Sequence, residues 1–98
     1  MQFSFKLHQS GADKLLAVCD KSILAKSFES EDNSITINSD FYGEELIDEK
    51  NLISKIREAT IVNAIGKETV EVILKHKLAD KSEIIEICGL PHAMIVMI

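Results

Sequence analysis

The stretch "LLAVCD", residues 15–20, constrains the fold most. In an extended chain Leu15, Ala17 and Cys19 fall on one side, while Leu16 and Val18 fall on the other. A strand apolar on both sides needs cover above and below, which predicts a central place in a sheet. The preceding "MQFSFKL" alternates instead, with Phe3, Phe5 and Leu7 on one face, and reads as a half-buried strand. Between them "HQSGADK" supplies turn residues around Gly11, so the two strands form an N-terminal hairpin.

The segment "DKSILAKSFESEDNS" leaves two options open: Asp20 caps a short helix through Phe28, or the stretch is irregular, with Glu29 to Ser34 a loop. "SITINSDFY" carries Ile35 and Ile37 two apart and predicts a third strand ending near Phe41. Asp48 is placed to cap a helix in which Leu52, Ile53, Ile56 and Ala59 recur at helical spacing. "TIVNAIG" interrupts that pattern. A second helix begins near Gly66, with Val70, Ile73, Leu74 and Leu78 on its apolar side, and "LADKS" ends it. "EIIEICGLPHAMIVMI" closes the chain as two strands around a Gly-Leu-Pro-His turn, with "AMIVMI" as the last strand. Strands, then helices, then strands predict an α+β fold. The expected architecture is a mixed or mainly antiparallel sheet with N-terminal and C-terminal hairpins and two helices packed on one face. Residues 1–98 make one domain of ordinary size.

Charge narrows the partners. The net charge of −5 disfavours broad nucleic-acid binding, which depends on Lys and Arg neutralising phosphates. With no Trp, four Phe and one Tyr, a base-stacking platform would have few members. Both facts favour a protein partner or a small ligand. No apolar run reaches the ~18 residues of a membrane span, and "MQFSFKLHQ" lacks a signal-peptide pattern, so a cytoplasmic location is expected. Cys19 and Cys88 are too few for a disulfide framework and read as packed thiols.

Three stretches could carry chemistry. "AIGKET" resembles part of a phosphate loop, but the required earlier glycine is replaced by Ile61. What remains is a helix start at Gly66, Lys67 and Thr69 that offers N–H groups to an anion. Cys88 and His92 have half the spacing of a zinc site with no second half, so no metal or other cofactor is expected. As a nucleophile pair they lack a third group to orient the imidazole. A packed Cys88 beside an outward His92 on the turn is the simpler expectation. "SDFYGEELIDE" sets Phe41 and Tyr42 before an acidic helix entry that lacks calcium-loop spacing.

Taken in order, "AVCD", "FYGEELIDE", "REATIVNAIGKETVE" and "GLPHAMIV" resemble an archaeal family of small proteins of about one hundred residues, known as a domain of unknown function. The resemblance spans most of the chain. It points to Phe41-Tyr42-Gly43, to Ala59, Thr60, Asn63 and Gly66, and to Gly89, Pro91 and His92. Many members carry Gly where this chain has Glu44 or Cys88, which argues against an obligatory Cys88 nucleophile. The resemblance implies no activity, and a role tied to translation or RNA is the expectation that the kind of family raises.

The leading expectation is therefore a small binding module whose partner is RNA or a translation-related protein. Its candidate surface combines Tyr42, Thr60, Asn63, Gly66, Lys67 and His92, with Thr60 and Asn63 sharing a helix face. One alternative is an enzyme using His92 as general base with Asn63 or Thr60 on the substrate. The other is a structural homodimer paired through a terminal strand. No residue is assigned as catalytic.

Overall fold

The computed structural model describes residues 1–96; the final two residues of "AMIVMI" lie outside them. In chain order the elements are β1 (Gln2–Ser10), β2 (Asp13–Asp20), β3 (Ser27–Glu29), β4 (Ser34–Thr36), α1 (Ser39–Tyr42), β5 (Glu45–Asp48), α2 (Glu49–Glu58), β6 (Ile61–Ile65), α3 (Lys67–Lys75), β7 (Ile84–Ile87) and β8 (Leu90–Val96). Six strands form one sheet in the order β5-β1-β2-β6-β8-β7, and β3 pairs with β4 beside it. Every pairing is antiparallel except β2 with β6. The fold is α+β with a mixed, mostly antiparallel sheet and hairpins at both ends. No helix among the described residues is long and apolar enough to cross a membrane.

β2 occupies an interior position, and the reason is visible in its side chains. Leu16 and Val18 join Phe3, Val62, Ala64, Ala93 and Ile95 in a core closed by Leu52 and Ile56 of α2 and by Val72 and Ile73 of α3. Ala17 and Cys19 face the other way, into a second core with Ile37, Tyr42 and Ile65. That second face is covered by α1 and the β3–β4 hairpin, whose Phe28 and Ile35 pack on it. The two longer helices thus share one face, as the strand–helix–strand order requires.

Several local expectations fail for identifiable reasons. No helix capped by Asp20 runs to Phe28. A 3₁₀ turn at Lys21–Ile23 is followed by Ala25 at φ 67, which breaks helical continuation, and then by β3. The expected strand to Phe41 stops at Thr36, because the Asn38 side chain accepts from Asp40 N–H at 2.7 Å and starts α1. "TIVNAIG" is not merely a break between helices: its Ile61–Ile65 is β6, an interior strand. Asp48 caps α2 as expected, its Oδ1 accepting from Asn51 N–H at 2.9 Å. The C-terminal turn is Cys88-Gly89, both at positive φ (50° and 82°), so Leu90, Pro91 and His92 lie in β8 and not in the turn. A two-residue turn of this hand suits the twist of a hairpin.

Candidate functional site

Three of the six candidate residues meet on the second face of the sheet. Asn63 is the middle residue of β6, between Ala17 of β2 and Met94 of β8. Its Oδ1 accepts the Tyr42 O–H at 2.9 Å and faces His92 Nε2 at 3.1 Å. An amide oxygen only accepts, so Nε2 carries the proton of the neutral ring and Nδ1 keeps its lone pair. The Asn63 amino group has no protein partner among the described residues. The cluster therefore carries one donor group and one acceptor without a protein partner among the described residues.

The aromatic side of the cluster extends further than the candidate residues. Phe41 meets Tyr42 edge to face at 4.8 Å and stacks on His8 at 5.0 Å. His8 Nε2 also lies 2.7 Å from Phe41 O, so the imidazole and the backbone of α1 hold each other. Gly43, at φ 80, ends α1 where a Cβ would collide with the Phe5 carbonyl, which lets the short helix fold tightly over β1. Sequence reading missed His8. Its signal was weak: a lone imidazole at the end of an alternating strand, with a partner 33 residues away.

Burial sets the ionisation of these groups. Tyr42, 7% exposed, has its phenol pushed up to about 12 by desolvation and then by the nearby Cys19. Cys19 is itself raised to about 12, by burial first and by Asp20 second, which makes it an inert packed thiol. His92 is lowered from 6.5 by desolvation and stays neutral at pH 7. Cys88 is not joined to His92: its Sγ lies 3.9 Å from Ser30 Oγ, while His92 Nε2 is engaged by Asn63.

The other three candidates do different work. Thr60 lies just before β6, not on a helix, so it shares no helix face with Asn63. Its hydroxyl accepts from Lys14 N–H at 2.8 Å and donates to Lys14 O at 3.2 Å, fastening β6 to the start of β2. Gly66 and Lys67 begin α3, whose free N–H groups were the expected anion site. That place is filled from within. The buried Asp20 carboxylate accepts from Glu68 N–H at 3.0 Å, Thr69 N–H at 2.8 Å and Thr69 O–H at 2.7 Å. Gly66, at φ 115, leaves the space in which that carboxylate sits, since a Cβ there would strike it. Lys67 is exposed and lines a groove beside β7.

The comparisons agree with this architecture. A family model described as a protein of unknown function, DUF424, matches residues 8–98. The chain belongs to the DUF424 family. Its fold resembles the crystal structure of an uncharacterized conserved protein from Methanopyrus kandleri, with a TM-score of 0.85 and 25% identity over 99% of this chain and 92% of that one. No curated protein matches. The DUF424 match takes in "REATIVNAIGKETVE" and "GLPHAMIV", the segments that hold Asn63 and His92.

Proposed function

We propose that this DUF424 chain is a non-enzymatic recognition module that binds a partner protein on the face of β6 and β8. The observation that carries this reading is that the Asn63 amino group and the His92 Nδ1 lone pair both lack a protein partner among the described residues, on a sheet face that also bears exposed apolar side chains. Ile85 is 57% exposed and Met94 52%, and the register sets both on the His92 side of the sheet. A donor and an acceptor next to apolar surface complement a peptide amide flanked by apolar side chains. RNA is less well matched, because the exposed side chains here are aliphatic or thioether and the aromatic rings are packed. The enzyme alternative draws less support: the clefts lined by Phe5, Lys6 and Gly43, and by Val70, Leu74 and Ile84, do not include His92 in their lining.

The test is a pull-down with the full chain from an extract of its source cells, with and without ribonuclease, alongside the Asn63→Ala and His92→Ala variants. The proposal expects a protein captured in both extracts and lost with either folded variant; a translation factor would be one such protein. Capture that ribonuclease abolishes would transfer the face to RNA. Equal capture by wild type and both variants would sink the proposal.

A further inference from the structure

The sheet ends at β7, and the hydrogen-bonding ladder there is open. Gly66 N–H donates to Pro91 O at 2.9 Å, so the backbone of Pro91 faces β6. Pro91 is paired with Glu86, which places Glu86 at a non-hydrogen-bonded pair of the β7–β8 hairpin. The N–H and C=O of Glu86 therefore point away from β8. Ile84 points the same way; its N–H is taken by Lys81 O, and its C=O remains open. Beside this edge, on the helix side, lies a groove of about 450 Å³ lined by Val70, Leu74, Ile84 and Pro91, by Lys67 and Lys81, and by Glu86 of β7 itself. Lys67 follows Gly66 at the Pro91 end, and Lys81 stands just before β7 at the other end. Neither lysine has an ion-pair partner among the described residues.

We propose that an extended, acidic and apolar segment of a partner protein adds to β7 as a seventh strand. Its backbone completes the bonds of Glu86 and Ile84, the central apolar side chains of its groove-facing side enter the groove, and carboxylates at the two ends of that same side reach Lys67 and Lys81. In a chain of net charge −5, two unpaired cations bracketing an apolar groove select for acidic residues at its ends. A second copy of this chain fits less well. In the two-fold register that uses both open groups of Glu86, that carboxylate faces its own copy. The site meets the Asn63–His92 face at Ile85 of β7 but uses neither Asn63 nor His92.

The probe is a short end-capped peptide whose groove-facing alternate positions are valine in the middle and glutamate at both ends, with threonine between, titrated into the full chain while backbone amide shifts are recorded. A lysine–valine peptide serves as the counterpart. The expected result is saturable shifts along β7 and the groove side of α3, with slowed exchange of the Glu86 amide. Glu86→Pro removes an N–H that has no partner among the described residues, at an edge where proline is tolerated. It should keep the fold and weaken the peptide by at least about tenfold. Lys67→Glu with Lys81→Glu should weaken the glutamate peptide by about tenfold and favour the lysine peptide; this pair decides alone if Glu86→Pro fails to fold. Absence of saturable shifts, shifts centred on β5, or wild-type binding by Glu86→Pro would each overturn the proposal. Shifts centred on Asn63 and His92 would overturn it too, while favouring the face described above.

Discussion

Replacing Asp20 with alanine should be among the most damaging single changes to this chain. The buried carboxylate receives three hydrogen bonds from the first turn of α3. Its loss strands the Thr69 hydroxyl and two helix N–H groups, with Thr69 itself fully buried. A lost helix cap costs about 0.5–2 kcal/mol, and each buried donor left without an acceptor adds about 1–3 kcal/mol unless water enters. Some water will follow, because the Glu68 end is less buried, so a net loss of roughly 2–4 kcal/mol is expected. Urea unfolding followed by circular dichroism measures it. At a slope of about 1 kcal/mol per molar for a small domain, the midpoint falls by roughly 2 M or more. Asp20→Asn should fall between: its amide oxygen can keep both Thr69 bonds, but its amino group then confronts Glu68 N–H. Gly66→Ala should be comparably harmful in wild type and somewhat less so in the Asp20→Ala background, which relieves the collision with the carboxylate but not the strain of a side chain at φ 115. An Asp20→Ala midpoint within about 0.5 M of wild type, or additive losses in the double variant, would refute the account of this contact.

Asn63→Ala removes the acceptor shared by Tyr42 and His92; it should cost about 1–3 kcal/mol in urea unfolding, against about 0.5–1.5 for Tyr42→Phe. The two losses should be less than additive, and a strictly additive pair would mean that the cluster is not coupled. Burial disfavours the charged imidazole of His92, so its folded pKa lies below the unfolded 6.5. The contribution is full above 6.5 and is lost as pH falls toward the folded value, because the unfolded chain then binds the extra proton. NMR titration should place His92 below 6.5, and His92→Gln should flatten that part of the stability profile. A thiol reagent should modify the half-buried Cys88 in the native protein and Cys19, raised to about 12 and fully buried, only on unfolding. Native labelling of Cys19 at the Cys88 rate would contradict its assigned burial.

How much of this was legible depended on whether the determining partner was near in sequence. The both-sided strand at residues 15–20, the Asp48 cap and the two apolar helix stripes all declare themselves locally, and each is found in place. β6 did not, since five residues between two helices can be either a break or a strand, and only the neighbours β2 and β8 decide it. Asp20 was misleading for the same reason. A carboxylate before a polar stretch looks like a cap for that stretch, whereas its true client, Thr69, is 49 residues on. Tyr42, Asn63 and His92 were grouped as one candidate surface without a stated contact between their elements. The contact is strand to strand, through β6 and β8. Thr60 was joined to Asn63 on helix spacing, which the strand geometry of β6 undoes, and Gly66 and Lys67 were read as an anion site that Asp20 fills.

The parallel pairing of β2 with β6 also governs how the chain reaches this state. Its N-terminal hairpin can close early, because Ser10 and Asp13 are joined by a two-residue turn. Its central strand, however, must wait for Ile61–Ile65 to arrive after β3, β4, α1, β5 and α2 have been threaded past. Loop closure on that scale is entropically costly and slow, which predicts folding in milliseconds to seconds rather than microseconds. Asp20 can seat under α3 only after β6 is in register, so its bonds form late. Their removal should then speed unfolding far more than it slows folding.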